Sequence, residues 1–236
     1  MIKAIFFDLD GTLLPMDQDV FVKSYFSSLC YKLIPHGFQT EELVKNIWTG
    51  IKSMMMNDGS KTNEEVFWNH FKTAYGEDVV KYHPVFQEYY EKEFQVVQKD
   101  CGFNPESAKV IEYAKNKDLR LFLATNPVFP QAATFSRIRW AGLNAEDFEI
   151  ITTYENSHST KPNPKYYAEI LEKAQLQPEE CLMVGNDVRE DMVAQTLGMK
   201  VFLLTNDVIA HGETDLSKYP QGDFDALYQY IDELKK

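Results

Sequence analysis

The feature that most limits the fold is a series of short apolar runs that alternate with helical patterns. The runs cover residues 2–7, 119–124, 148–153, 181–185 and 200–204. The helical patterns in this part of the chain cover residues 105–117, 130–141, 164–175, 189–198 and 223–235. All runs but the third are almost continuously apolar, as strands buried on both faces are, and the third is expected near the sheet edge. This alternation predicts an α/β fold with a doubly wound, parallel, five-stranded, Rossmann-like core.

Residues 15–100 interrupt this rhythm with helical patterns and no strand. Thr62 and Glu65 have the spacing of a capping box, and Thr40 can cap another helix. Four apolar stripes at helical spacing are interpreted as the core of this insertion: Phe21, Tyr25, Leu29 and Leu33; Leu43, Ile47 and Ile51; Val66, His70 and Phe71; and Phe86, Tyr90, Phe94 and Val97. The sequence therefore predicts a core of residues 1–14 and 101–236, with an all-helical domain of residues 15–100 inserted after the first strand.

The formal net charge of −12 limits the possible partners. Phosphate backbones and anionic membranes are bound through clustered Lys and Arg, so this charge argues against nucleic acid and membrane partners. It permits a small phosphorylated partner, because one local site can be positive in an acidic protein. The cysteines, Cys30, Cys101 and Cys181, lack metal-ligand spacing and are expected to be reduced. With no signal-peptide pattern and no apolar run near the ~18 residues of a membrane span, the sequence predicts a soluble, cytoplasmic protein.

The first strand ends in DLDG, which places Asp8 and Asp10 one residue apart. Alternate residues of a strand point to the same side, so both carboxylates are expected at the carboxyl edge of the sheet, where open α/β sheets bind ligands. Two such carboxylates repel each other unless a cation lies between them, and Mg²⁺ prefers oxygen ligands of this kind. An Asx-type turn is the alternative interpretation of DLDG.

Three later segments place polar residues after strands or before a helix. LATN ends the second strand with Thr125 and Asn126, STKPNP carries Lys161, and GNDVRED after the fourth strand carries Asn186 and Asp187. Each segment alone is also typical of a turn, a helix cap or a solvated loop. Together they place carboxylates, a hydroxyl and a lysine at one sheet edge, which is the combination that phosphoryl transfer requires.

These four segments resemble the sequence motifs of the haloacid dehalogenase superfamily of phosphohydrolases. DLDGT resembles the first motif, LATN the second, KPNP the third and GNDVRED the fourth. The helical insertion is similar to the C1-type cap of the phosphoglycolate phosphatase and β-phosphoglucomutase branches. The resemblance implies a strand order of 5-4-1-2-3 and a cap that closes over the active site.

The resemblance also implies a role for each motif residue. Asp8 would be the nucleophile that forms an aspartyl-phosphate, and Asp10 the general acid and base. Thr125, Asn126 and Lys161 would bind the phosphate of the substrate. Mg²⁺ would be held by the Asp8 carboxylate and the Asp10 backbone carbonyl, with a further ligand from the fourth motif.

The fourth motif departs from the family pattern, which has an acidic residue directly after the glycine. Asn186 follows Gly185 here, and Asp187 comes next. Counting from Gly185 selects Asn186 as the metal ligand, whereas counting back from Asp191 selects Asp187. Both therefore remain candidates, and Asp191 is expected to orient Lys161 or a metal-bound water.

The predicted function is Mg²⁺-dependent hydrolysis of a small phosphomonoester, with a small phosphorylated metabolite as the partner. A phosphomutase is one alternative, because it would share every core residue. The dehalogenase branch is disfavoured because it lacks the acid/base aspartate that Asp10 provides. A receiver-like phosphoacceptor domain is the non-enzymatic alternative, but its phosphorylated aspartate would lie on the third strand, where FEIITTY has none.

Overall fold

A central parallel sheet organises the computed structural model, which describes residues 1–212 and 214–235. Its strands are β1 (Ala4–Phe7), β2 (Arg120–Leu123), β3 (Ile150–Ile151), β4 (Cys181–Gly185), β5 (Lys200–Leu204) and β6 (Gln221–Gly222). The spatial order is β3-β2-β1-β4-β5-β6. The predicted order of the first five strands is confirmed, with β1 central and β3 at one edge. The sixth strand was not predicted, because two residues carry no periodic signal.

The stretch between β1 and β2 contains four α-helices. They are α1 (Gln18–Leu33), α2 (Thr40–Met55), α3 (Asn63–Tyr75) and α4 (His83–Glu91), and 3-10 helices follow α1, α3 and α4. The capping box of Thr62 and Glu65 is present at the start of α3. The expectation for Thr40 was wrong, since Gln39 is the N-cap and Thr40 is the first helical residue. Phe94 and Val97 are buried as expected, but they lie on the 3-10 helix Glu93–Asp100 rather than on a continuous fourth helix.

The remaining α-helices cover the sheet on both faces. They are α5 (Pro105–Lys115), α6 (Gln131–Trp140), α7 (Pro164–Ala174) and α8 (Phe224–Lys235). The helix predicted over residues 189–198 is absent, and a turn followed by the 3-10 helix Met192–Leu197 takes its place. Side chains compete for the backbone there: Asp187 accepts hydrogen bonds from the amides of Arg189 and Glu190.

Alternate residues of the strands enter two separate hydrophobic layers. Ile5 and Phe7 belong to a large cluster that extends through the helical insertion. Ala4 and Phe6 belong to a second cluster, on the α7 side of the sheet. The three cysteines are free. Among the described residues, we find no helix whose length and apolar character would let it cross a membrane.

The amino end of α3 anchors the insertion to the rest of the molecule. The Asn63 side-chain amide donates to the carbonyls of Pro127 at 3.2 Å and Ser159 at 3.1 Å. The Asn63 backbone amide donates to the carbonyl of Ser157 at 2.8 Å. Asn63 is fully buried, so water does not compete for these bonds. The insertion is therefore fixed to two loops that follow β2 and β3.

Candidate active site

The sheet register brings the predicted motif residues to one edge. Phe7 lies opposite both Leu123 on β2 and Val184 on β4. The amide of Asp8 donates to the carbonyl of Val184 at 2.9 Å, and the amide of Ala124 donates to the carbonyl of Phe7 at 2.7 Å. Asp8 consequently leaves the sheet level with the ends of both neighbouring strands.

A tight turn after Asp8 brings Asn186 against the first motif. Gly11 has φ 85°, and a Cβ at this position would collide with the Asn186 side-chain amide, so only glycine fits. The Thr12 hydroxyl lies 2.9 Å from Asp8 Oδ2 and 3.1 Å from Asn186 Oδ1. It has one hydrogen to donate and therefore satisfies one of these oxygens at a time. The Asn186 Nδ2 donates to the carbonyl of Asp207 at 2.7 Å, which turns Oδ1 toward Asp8.

Lys161 is a buried cation between two carboxylates. Its side chain is 1% exposed, and Nζ donates to Asp8 Oδ1 at 2.7 Å and to Asp191 Oδ1 at 2.6 Å. Burial alone would lower the pKa of Lys161, but the two carboxylates raise it well above its ordinary value. Burial raises the pKa of Asp191 to about 7, and the charge of Asp8 adds to this rise. The expected contact between Asp191 and Lys161 is confirmed.

Asp10 faces a buried arginine that the motifs did not include. Arg137, from α6, pairs with Asp10 Oδ2, and the Thr125 hydroxyl lies 3.4 Å from the same oxygen. The Arg137 guanidinium also stacks over the Phe129 ring, 4.7 Å from its centroid, and donates to Thr134 Oγ1 at 3.2 Å. Burial raises the pKa of Asp10, although Arg137 opposes the rise. Asp10 Oδ1 is buried and has no hydrogen-bond partner within the described residues.

Asn126 and Glu190 form a second polar pair beside Thr125. Asn126 Nδ2 donates to Glu190 Oε2 at 3.0 Å. The side-chain oxygen of Asn126 is buried and lacks a hydrogen-bond partner in the described part of the chain. Burial raises the pKa of Glu190, and the charge of Asp187 contributes to the rise. An unpaired acceptor and a carboxylate with a raised pKa thus lie next to each other.

The Asp187 carboxylate accepts hydrogen bonds from the backbone of the turn that it begins. Its Oδ1 accepts from the amides of Arg189 at 2.7 Å and Glu190 at 2.9 Å. His211 Nε2 lies 2.9 Å from its Oδ2. The Asp187 backbone amide donates to Asp191 Oδ2 at 2.9 Å, which holds the two ends of the turn together. The geometry therefore gives Asp187 a structural role that Asn186 does not share.

One cavity of about 300 Å³ lies over these residues. Six of the seven predicted site residues line it: Asp8, Asp10, Thr125, Asn126, Asn186 and Asp187. The seventh, Lys161, lies behind Asp8 and reaches the site through that carboxylate. Glu190 and Asp191 line the cavity too, and Arg137 is the only basic residue among the described residues that line it. The structure thus brings all seven predicted residues together, in a site whose side chains include more acidic than basic groups.

Three residues of the site were missed by the sequence reasoning. Arg137 carried a signal, because it belongs to the buried stripe of α6 with Thr134 and Ile138, and an arginine in such a stripe needs a buried partner. Glu190 lies inside the fourth motif, but its link with Asn126 crosses 64 residues of sequence. Thr12 is the last residue of the first motif, DLDGT, and has the appearance of an ordinary turn residue.

The arrangement defines a class of reaction. A carboxylate fixed by a buried lysine can attack an electrophilic centre, and a neighbouring carboxylate with a raised pKa can transfer a proton. Such an arrangement is typical of a hydrolase active site. The chain belongs to the haloacid dehalogenase-like hydrolases, because that family model matches residues 2–198.

Similar proteins agree with this assignment. The chain is 24% identical over 227 residues to a glyceraldehyde 3-phosphate phosphatase from Methanothermobacter thermautotrophicus, covering 91% of this chain and 90% of the relative. A HAD phosphatase from Thermococcus onnurineus has a TM-score of 0.59 at 19% identity, covering 98% of both chains. A 2-haloacid dehalogenase from Pseudomonas syringae pv. Tomato DC3000 has a TM-score of 0.62 at 20% identity, covering 99% of both chains. These two structures share the fold with this chain.

Proposed function

We propose that the protein is a Mg²⁺-dependent phosphatase that hydrolyses a small phosphomonoester through an aspartyl-phosphate on Asp8. The observation that carries the proposal is the Asp8–Lys161 pair at the floor of the cavity, with Asp10 beside it. The phosphatase named among the relatives supports the same reaction class. Asp10 itself favours phosphate chemistry over dehalogenation, since a phosphate ester needs its leaving oxygen protonated.

In this mechanism Asp8 attacks phosphorus and the alcohol leaves. Lys161 and Thr12 fix the two oxygens of Asp8 before the substrate arrives, so little reorganisation is needed during attack. The ammonium of Lys161 also offsets negative charge as the phosphoryl group approaches. Thr125 and Asn126 are proposed to bind the phosphoryl oxygens from the end of the neighbouring strand.

Asp10 moves the proton in both halves of the reaction. Burial raises the pKa of Asp10, so it takes up a proton more readily than an exposed aspartate does, and its Oδ2 is held by Arg137. The proton would therefore be carried on Oδ1, the oxygen that lacks a partner. Oδ1 would donate this proton to the leaving alcohol and then accept one from the water that attacks the aspartyl-phosphate. Arg137 acts here as a positioning residue for Asp10.

The charge around the cavity fits a divalent cation. The pKa values of Asp10, Glu190 and Asp191 are all raised, mainly by burial and further by neighbouring carboxylates. A phosphate would meet the same excess of negative charge, which a bound Mg²⁺ would offset while polarising the phosphoryl group. Within residues 1–212 and 214–235, no group of three His, Cys, Asp or Glu side chains could hold a metal by itself. Neutral oxygens must therefore contribute.

We propose the Asp8 carboxylate, the Asp10 backbone carbonyl and the Asn186 side-chain oxygen as the metal ligands. Asn186 Oδ1 shares the Thr12 hydroxyl with Asp8 and so faces the same space. In Asp187, the other candidate, Oδ1 accepts from the amides of its own turn and Oδ2 lies beside His211. Carboxylate, amide and carbonyl oxygens are all hard ligands suited to Mg²⁺.

We further propose that residues 15–100 form the cap domain and that residues 1–14 and 101–236 form the catalytic core. The chain enters and leaves the insertion side by side, since Met16 and Cys101 pair as an antiparallel bridge. The amide of Gly102 also donates to the carbonyl of Pro15 at 2.8 Å. The proposed partner is a small phosphorylated metabolite, met in the cytoplasm.

The test is phosphate release from p-nitrophenyl phosphate and from a panel of phosphorylated metabolites, with Mg²⁺ present. Asp8→Asn should abolish release while the protein stays folded by circular dichroism. The matched control is Asp78→Asn, which makes the same change at an exposed position of the insertion and should keep full activity. Activity of Asp8→Asn within tenfold of the parent would refute the proposal, and isomerisation of a sugar phosphate without phosphate release would identify a mutase instead.

A further inference from the structure

The half of the cavity that faces the carboxylates is apolar. We call it the apolar wall, and it consists of Met16, Phe21, Val22, Tyr25, Phe26, Trp48, Ile51, Met55, Val128 and Phe129. Gln18 and the indole N–H of Trp48 are the polar exceptions, and the Tyr25 hydroxyl is already paired with the Tyr90 hydroxyl at 2.7 Å. No charged side chain of α1 or α2 lines the cavity in the part of the chain that the structure describes.

Helix α2 carries more apolar surface than its own packing uses. Leu43 and Ile47 are buried inside the insertion. Trp48, Ile51 and Met55 follow each other at helical spacing along the cavity. Trp48 is 49% and Met55 47% exposed. Apolar surface that continues into a polar reaction site is typical of a ligand pocket, where the apolar part binds and the polar groups orient.

We propose that the apolar wall binds the alcohol part of the substrate, and that this part is an apolar ring or chain rather than a sugar, a glycerol or a nucleoside. This inference rests on the proposed phosphatase function and specifies its substrate class. An apolar cavity of about 150 Å³ holds benzene. The cavity of about 300 Å³ therefore has room for a phosphoryl group and a ring of about six carbons.

The apolar wall discriminates between apolar and hydroxylated substrates because either kind loses its hydration water on binding there. Each CH₂ group that the wall removes from water is worth about a fourfold gain in affinity. A sugar hydroxyl in the same place loses its water and finds few partners, because the polar groups of the wall are Gln18, the Trp48 indole N–H and a Tyr25 hydroxyl that is already bonded. Each such unpaired hydroxyl costs about a fivefold loss or more. Several hydroxyls together should exclude a sugar.

The test compares two substrates of nearly equal shape on the unmodified protein. Cyclohexylmethyl phosphate and glucose 6-phosphate are both phosphates of a primary alcohol on a six-membered ring, and they differ in hydroxyls and the ring oxygen. We expect kcat/KM to be about 100-fold higher or more for cyclohexylmethyl phosphate. Acetyl phosphate, which is too small to cover the wall, reports the core chemistry independently.

A pair of variants tests whether the apolar wall causes the preference for cyclohexylmethyl phosphate. Ile51→Asn should lower kcat/KM for cyclohexylmethyl phosphate about tenfold more than it lowers kcat/KM for acetyl phosphate. Val44→Asn, two turns earlier on α2, partly buried and outside the cavity lining, should change neither. Equal turnover of the two ring substrates, or equal losses in both variants, would overturn the inference alone. Failure to release phosphate from acetyl phosphate and from both ring substrates would overturn the phosphatase proposal and the inference with it.

Discussion

Arg137→Met should destabilise the protein far more than the loss of a surface charge does. Arg137 is 1% exposed, and its guanidinium contacts Asp10, Thr134 and the ring of Phe129. Methionine keeps much of the side-chain length and its contacts with apolar neighbours. It removes the positive charge and leaves Asp10 next to Asp8 with no cation of its own.

The expected cost follows from the burial of the pair. Removing one partner of a buried ion pair costs about 3–5 kcal/mol of unfolding free energy. The lower end applies here, because the Asp10 side chain is 20% exposed and can recruit water from the cavity. The lost stacking on Phe129 adds about 1 kcal/mol. We therefore expect a loss of about 3–4 kcal/mol at neutral pH.

Urea unfolding measures this loss, and Arg139→Met is the matched control. Arg139 lies on the same helix, is exposed, and should cost less than about 0.5 kcal/mol. Since Arg137 lowers the pKa of Asp10, its removal lets that pKa rise further, and the loss should shrink as the pH falls and Asp10 becomes neutral. In Arg137→Met/Asp10→Asn both charges are gone, so part of the stability should return. Equal costs for the two arginine variants, or strictly additive losses in the double variant, would refute the reasoning.

Three further predictions concern the chemistry and the insertion. Asp10→Asn should give a burst of nitrophenol from p-nitrophenyl phosphate in stopped flow, followed by turnover about 10²–10⁴-fold slower than the parent. Nitrophenolate leaves without a proton, so only hydrolysis of the aspartyl-phosphate then lacks its base. Equal losses for aryl and alkyl esters without a burst would contradict the acid/base role of Asp10. Chelation should abolish activity, Mg²⁺ should restore it and Ca²⁺ should inhibit it, since Ca²⁺ takes more ligands at longer distances; full activity in excess chelator would exclude the metal. Hydrogen bonds from Lys92 and Lys32 lower the pKa of Glu88 to about 2 from 4.5, so Glu88 stabilises the fold above pH 4.5 and loses this effect as the pH falls toward 2; melting curves of Glu88→Gln should differ from the parent at pH 7 and converge with it in acid.

The strands and their order could be predicted because their residues are apolar on both faces. Ile5 and Phe6 enter different layers, yet both are fully buried, which is what an unbroken apolar run indicates. The region after β4 was mispredicted because its conformation depends on polar side chains rather than on an apolar pattern. Asp187 and Asp191 bind backbone amides there, and no hydrophobic pattern records that competition.

The site residues that directly follow strands could be predicted from the sequence. Arg137, which comes from a helix, could not. Asp8, Thr125 and Asn186 reach one edge because parallel strands end there. Arg137 reaches Asp10 from the middle of α6, across 127 residues of sequence. Its partner is fixed by how that helix packs on the sheet, which a single sequence does not specify. Phe21, Tyr25 and Ile51 of the apolar wall were likewise assigned to the core of the insertion, because periodicity does not separate side chains that pack together from side chains that face a cavity.

The hydrogen bonds of Asn63 couple the position of α3 to the two loops that contain Pro127 and Ser159. Pro127 follows Asn126 directly, and Ser159 lies two residues before Lys161, so both anchor points are next to residues that would hold the phosphate. A displacement of α3 would therefore move the backbone that carries the Asn126 amide and the Lys161 ammonium. The insertion thus helps to position Asn126 and Lys161, although no described residue of α3 lines the cavity.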